Sequence, residues 1–247
     1  MLIAEIGLNH LGSVSHGKKL IDEAIKSNIS AITIQIREND FYKCEENAKY
    51  KLSLEQNFEL IEYAKNQGGK IGVALANKEI IKEISNVGVD FIKILSWDFN
   101  NYNFIKSVYN HFENIYISSG MSSEDEIIKS VIKLKGVKYK IIHTSLSYDE
   151  ESVNLKAIES LRKLAPDSEI CYGHHCASIC VLYASISFEP YKTFLYIKGN
   201  KSFYPDEKHA IGTQDLSYIV ENFEKVKVSL GHGKKTGLEK NYIEENR

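Results

Sequence analysis

Apolar residues gather in eight short runs, and each run is followed by a longer stretch in which apolar and polar positions recur at helical spacing. The runs are LIAEI (2–6), AITIQI (31–36), KIGVAL (70–75), FIKIL (91–95), NIYISS (114–119), YKIIHTS (139–145), EICYG (169–173) and TFLYIKG (193–199). They are mostly apolar throughout rather than alternating, the pattern of parallel strands covered by helices. The stretches between them predict helices over 16–28, 52–67, 78–87, 101–111, 123–134, 153–165 and 213–229, with a shorter one over 176–188. In HGKKLIDEAIKSN (16–28), Leu20, Ile21, Ala24 and Ile25 fall on one face, and Lys18, Lys19, Asp22, Glu23 and Lys26 lie outside it. SSEDEIIKSVIKLKG (122–136) opens with a serine cap and acids and closes on a glycine, which marks both ends of a helix.

An eightfold strand–helix order predicts the α/β class and a closed (β/α)8 TIM barrel. We read residues 1–247 as one such domain, with 230–247 as a polar C-terminal tail. The competing open, doubly wound sheet lacks its dinucleotide fingerprint, because IGLNHLG (6–12) is not G-x-G-x-x-G.

A barrel carries its chemistry at the C-terminal ends of its strands. Polar residues collect there: Glu5, Asn9 and His10 after the first run, Gln35 and Arg37 after the second, and Lys93, Ser96 and Asp98 after the fourth. Ser118 and Ser119 end the fifth, His143, Thr144 and Ser145 the sixth, and Tyr172, His174 and His175 the seventh. Lys198, near the eighth, offers a further phosphate contact. A glutamate in an apolar strand needs a partner or a function, which singles out Glu5. His174 and His175 are adjacent, so one of them faces away from the barrel axis unless the strand has already ended. His16, His111, His209 and His232 read as surface or capping residues, and YPDEKHAIGTQDL (204–216) as a loop near the mouth.

Composition narrows the function classes. The 247 residues are 43% hydrophobic and 26% charged with a net charge of -2, and no long basic tract points to nucleic acid or a membrane surface. No run of eighteen apolar residues spans a bilayer, and MLIAEIG turns acidic too soon for a signal peptide, so a cytoplasmic protein is expected. Four cysteines make no disulfide framework in a chain of this length. CYGHHCAS (171–178) followed by Cys180 suggests a zinc cluster, but the spacing is compressed relative to paired zinc ligands. A helix starting near 176 would set Cys176 and Cys180 on one face as small packing residues.

Several segments, taken in order, resemble the N-acetylneuraminate (sialic acid) synthase family. They are AEIGLNHLG (4–12), SNISAITIQI (27–36), FIKILSWDF (91–99), IYISSGMSSEDEI (115–127), IIHTSLSY (141–148) with VNLKAI (153–158), CYGHHCAS (171–178) and SLGHGKKTG (229–237). The resemblance implies condensation of phosphoenolpyruvate with N-acetylmannosamine or a related N-acylated amino sugar, releasing phosphate and forming a nonulosonic acid. It implies a divalent metal ion, commonly Mn2+, bound by His143 and His175. It also matches Glu5, Lys93, Ser96, Ser118 and Ser119 to family positions. Two imidazoles suit such an ion and leave positions open for substrate. Glu5 and His10 are the catalytic candidates, with Glu5 as a base for water. Gln35, Arg37, Lys93, Ser96, Ser118, Ser119, Tyr172, His174 and Lys198 are the candidates for substrate binding.

The chain also departs from the family pattern. Thr33 stands where the family has a lysine, ALAN (74–77) lacks a hydroxyl, Trp97 replaces a glycine, His174 replaces an aspartate, and LYIKG (195–199) lacks an acid and a histidine. The family continues into a small antifreeze-like cap domain where this sequence ends, which implies a homodimer or a separately encoded capping subunit. Two alternatives follow: a barrel acting on a different sugar or acid, and a catalytically degenerate barrel serving in binding or assembly.

Overall fold

The structure is a computed structural model and describes residues 1–29 and 31–235; of the tail expected at 230–247, residues 236–247 lie outside the described residues. Strands and helices follow in order as β1 (Leu2–Gly7), α1 (Val14–Lys26), β2 (Ala31–Ile36), α2 (Glu45–Ala48), α3 (Leu54–Asn66), β3 (Lys70–Leu75) and α4 (Ile81–Val87). Next come β4 (Phe91–Ile94), α5 (Tyr102–Tyr109), β5 (Ile115–Ser118), α6 (Glu124–Lys133), β6 (Lys140–Thr144) and α7 (Ala157–Leu164). The series ends with β7 (Ile170–His174), α8 (Ile179–Ser185), β8 (Thr193–Lys198), β9 (Ile211–Gly212) and α9 (Thr213–Ser229). Each of β1 to β8 pairs in parallel with the next, and β8 returns to β1 with Leu2 opposite Thr193 and Glu5 opposite Tyr196. The ring is therefore the closed (β/α)8 barrel that the pattern predicts.

Side chains alternate across the barrel wall with a period of two. Outward residues such as Ile32, Ile34, Ile92, Ile94 and Ile141 are buried and join the main core with the helices. Inward residues Ile3, Phe91, Tyr116, Ile142 and Phe194 form a separate buried cluster that fills the barrel. Phe91 and Phe194 both meet Tyr116 edge-on, with ring centroids 5.5 and 5.3 Å apart. Gly72 is required here, since a Cβ on it would lie 2.2 Å from the Phe91 ring. This plug closes the barrel floor and leaves the next inward layer facing the C-terminal mouth.

The helices obey their end signals. Ser53 and Ser123 form reciprocal capping boxes with Gln56 and Glu126 at the starts of α3 and α6. The Ser13 hydroxyl accepts from the His16 amide at 3.3 Å, so α1 starts two residues before its expected position. The 37–51 segment holds a 3-10 turn at Asn39–Lys43 and the short α2. Helix α8 starts at Ile179, so Cys176 precedes it and does not share a face with Cys180. Cys171 and Cys176 are buried and Cys180 is exposed, all as free thiols. Among the described residues, no helix is long and apolar enough to cross a membrane.

Candidate active site

The inward layer above the plug is polar. Glu5 on β1 and Lys93 on β4 are both buried and form an ion pair across the barrel axis. Neither charge would be tolerated there alone, because only the attraction of its partner offsets the cost of taking each ion out of water. One Glu5 oxygen, Oε2, has no hydrogen-bond partner. Lys93 Nζ also lies 5.3 Å and 5.8 Å from the ring centres of Phe194 and Tyr196. Ser96 and Ser118, from neighbouring strand ends, share a hydrogen bond of 2.8 Å. Arg37 follows β2 and grips Glu38 side-on through Nε (3.0 Å) and one terminal nitrogen (2.9 Å). Its guanidinium packs on Phe41 at 3.9 Å and Trp97 at 4.6 Å, which fixes a cation at the rim. Gln35, Arg37, Lys93, Ser96 and Ser118 line one wall of a mouth cavity of about 310 Å³.

The opposite wall comes from β7, β8 and the segment between β8 and β9. Asn9 holds that segment in place: its Nδ2 donates to the Ile197 carbonyl at 2.9 Å, and its Oδ1 accepts from the Asp206 amide at 3.2 Å. Tyr204 anchors it further through a 3.0 Å hydrogen bond with His16 Nε2. His209 then enters the cavity and stacks between Tyr148 and His175, with centroids 5.4 and 4.7 Å away and interplanar angles of 20° and 10°. Tyr196 packs edge-on against both histidines at 5.3 and 4.7 Å. Both ring nitrogens of His209 are buried without a hydrogen-bond partner.

Burial sets the charge state of this wall. It lowers His209 to about 4, helped by Lys93 and Lys198, and holds His175 well below the usual imidazole range. Both rings are therefore neutral near pH 7. Burial, with the Glu5 charge second, raises Asp206 to about 7. The same desolvation raises the Tyr196 phenol well above its ordinary value.

Several expected residues are placed elsewhere, and strand alternation is the reason. His143 and Tyr172 sit one residue out of phase with the inward positions 142, 144, 171 and 173, so they face the helices. The His143 Nε2–H donates to the Val153 carbonyl at 2.9 Å, and the ring lines a second cavity, of about 360 Å³, that it shares with Ser119. Burial lowers its pKa. Tyr172 and His174 bond to each other at 3.2 Å on the outer side of β7. His174 thus faces away while His175 enters the mouth, as adjacency requires. His10 is buried against α1, its Nδ1 accepting from the Gly12 amide at 3.1 Å. The Ser119 hydroxyl donates to the Ile142 carbonyl at 3.0 Å, and Lys198 is engaged by the Glu207 carboxylate and carbonyl.

His143 and His175 therefore open onto different cavities and do not form a pair. The histidines that do meet in the mouth, His175 and His209, stack face to face. An ion shared by two imidazoles lies close to the plane of both rings, because each nitrogen lone pair lies in its ring plane. Stacked parallel rings offer no such point. Among the described residues, no group of three or more His, Cys, Asp or Glu side chains is placed to hold a metal ion. The residues present thus do not fit a divalent cation held by two histidines.

The sequence places the 204–216 loop near the mouth but singles out neither Asp206 nor His209 within it, nor Tyr196 or Tyr148. His209, expected at the surface, is only 7% exposed. The loop does lie at the mouth, as its place between the last long strand and the last helix predicts.

Comparison with known proteins adds the following. The family model described as NeuB family matches residues 17–235. The chain is 25% identical to an N,N'-diacetyllegionaminic acid synthase of Campylobacter jejuni, over 94% of this chain and 78% of that protein. It is 24% identical to the N-acetylneuraminate-9-phosphate synthase of Homo sapiens, over 93% of this chain and 71% of that protein. The fold superposes with a TM-score of 0.86 on the crystal structure of an N-acetylneuraminic acid (sialic acid) synthetase from Leptospira borgpetersenii in complex with citrate. That match has 22% identity and covers 99% of this chain and 90% of that one.

Proposed function

This chain belongs to the NeuB family, and we propose that it condenses phosphoenolpyruvate with an N-acylated amino sugar to give a nonulosonic acid. The observation that carries this reading is the asymmetry of the mouth. One wall presents Lys93, Arg37, Gln35 and two serine hydroxyls, a set suited to a phosphate and a carboxylate. The other presents neutral imidazoles, a phenol and a carboxyl group, a set suited to a sugar.

The chemistry follows from these positions. The enol carbon of phosphoenolpyruvate attacks the sugar aldehyde and forms the new carbon–carbon bond. Asp206, protonated up to about pH 7, gives a proton to the aldehyde oxygen as it becomes a hydroxyl. Water then adds at C2, the carbon that carries the phosphate ester oxygen, and the free Oε2 of Glu5 takes its proton. The tetrahedral product expels phosphate. Lys93 holds the anion throughout, and the aromatic plug beneath keeps water from entering through the barrel floor.

A cover over the mouth completes this reading. Trp97, Met121, Leu146, Tyr148 and Phe203, all from C-terminal-face loops, are exposed around it. A second copy of the chain or a separate capping subunit would bury this apolar rim and exclude water. A cytoplasmic setting suits the four free thiols. A second reading, a barrel that binds without catalysis, draws on the fact that Lys93 and Arg37 already hold carboxylates. Incubation with phosphoenolpyruvate and a panel of N-acylated hexosamines separates the two. Phosphate release that depends on the sugar supports synthesis, and no release with any sugar refutes it.

A further inference from the structure

Arg37 has no step in the reaction scheme above, yet the rim holds it in one pose. A guanidinium carries five N–H donors in a planar fork with two usable edges. Glu38 takes the side-on edge, through Nε at 3.0 Å and Nη2 at 2.9 Å. Those hydrogen bonds hold the Glu38 carboxyl below the usual carboxylate range, so it stays charged and keeps its grip near pH 7. Phe41 and Trp97 pack on the group, with ring centres 3.9 and 4.6 Å from Cζ. Arg37 follows β2 and Trp97 follows β4, so they meet across the end of β3. The side chains there are small: Ala74 and Ala76, buried together with Leu95. Arg37 also continues the inward phase of Gln35, and it shares the mouth cavity with Gln35, Lys93, Leu95 and Trp97. The terminal edge, made of Nη1 and the second hydrogen of Nη2, makes no hydrogen bond among the described residues.

We propose that this terminal edge is a preset clamp for the carboxylate of a substrate that also carries a phosphate, with Trp97 and Glu38 as its positioning residues. The inference rests on the synthase reading and deepens it by dividing the two anionic groups between the two cations. Lys93 lies deep, 3% exposed, on the wall that also carries the Ser96 and Ser118 hydroxyls. A point charge among hydroxyls suits the several oxygens of a phosphate. Arg37 stands nearer the solvent, with 15% of its side chain exposed. Its flat fork matches the two coplanar oxygens of a carboxylate through parallel N–H···O bonds. Glu38 stops the group from swinging, and the rings keep water from its faces. The fork is therefore aimed before the ligand arrives, and little rotamer freedom is lost on binding. A ligand with only one of the two anionic groups engages only one of the cations.

The test uses the full chain at fixed ionic strength. Binding of phosphoenolpyruvate and of inorganic phosphate is followed by calorimetry in the wild type, Arg37→Met, Arg37→Lys, Trp97→Leu and Trp97→Phe. Trp97 is the only tryptophan of the chain, so its fluorescence gives an independent reading in the wild type and the Arg37 variants. We expect Arg37→Met to weaken phosphoenolpyruvate binding about tenfold or more and to leave phosphate binding unchanged. Arg37→Lys keeps the charge without the fork and should recover only part of the loss. Trp97→Leu should weaken phosphoenolpyruvate binding about threefold, and Trp97→Phe, which returns a ring face, should restore it. Equal phosphoenolpyruvate affinity in the wild type and Arg37→Met overturns the proposal, as does a wild type that does not bind the compound. A parallel loss of phosphate affinity in Arg37→Met overturns it too, because the phosphate would then sit on Arg37. Full recovery in Arg37→Lys denies the fork its role, and Trp97→Phe binding no better than Trp97→Leu denies Trp97 its own. Sugar-dependent phosphate release with one KM for phosphoenolpyruvate in the wild type and Arg37→Met refutes this inference alone. Arg37-dependent binding with no phosphate release from any sugar leaves it standing and refutes the synthase reading.

Discussion

Lys93 and Glu5 form the one fully enclosed ion pair described in the barrel interior, and each is tolerated because of the other. Lys93→Met strands a carboxylate in a desolvated layer, so we expect a loss of about 3–5 kcal/mol in urea unfolding, most of it restored in the Glu5→Leu/Lys93→Met double variant. Equal losses in the single and double variants would contradict the pairing. Asp206 yields a prediction about pH. Its folded value, about 7, lies above the ordinary 3.8, so the folded state retains a proton that the unfolded chain releases. The stability of the wild type relative to Asp206→Asn should fall from pH 4 to pH 7 and level off above that. A relative stability that does not change over this window would rule out the buried carboxyl. Residues of this kind are only half legible in sequence. Glu5 and Lys93 stand out because they interrupt apolar strands, whereas Asp206 and His209 sit in a polar loop, where such residues are usually solvated.

Elements determine which of these side chains meet. The segment between β8 and β9 delivers Asp206 and His209, and it is held by Asn9 and by the Tyr204 hydroxyl, which also accepts from the Lys201 amide at 3.1 Å. Tyr204→Phe removes that anchor and leaves the strands untouched. Amide exchange across 201–210 should then accelerate about tenfold, with protection of the strand amides unchanged, as read by mass spectrometry. The strands themselves explain the misplaced expectations. The family resemblance groups His143 with His175, but a period of two sends them to opposite faces of the wall. Had the alternation been phased from Ile142 and Cys171, His143, Tyr172 and His174 would have been assigned to the outer face.

At the scale of the whole molecule, the barrel was legible because eight apolar runs and the amphipathic stretches between them leave few other closed arrangements. One wall of the mouth was legible by residue, since Gln35, Arg37, Lys93, Ser96 and Ser118 line it as expected. The content of the opposite wall depends on how a twelve-residue excursion (199–210) folds over the rim, and no periodicity governs such a segment. The pairing of β1 with β8 has a consequence for the order of events in folding. Leu2–Glu5 meets Thr193–Tyr196 across most of the chain length, so this is the joint with the largest loop-closure cost and the last one a growing chain is able to make. Glu5 lies on one side of that joint and Tyr196, Asp206 and His209 on the other. A half-assembled ring therefore has no recognition surface, and whatever settles between those residues acts as a clasp that slows the reopening of the finished circle.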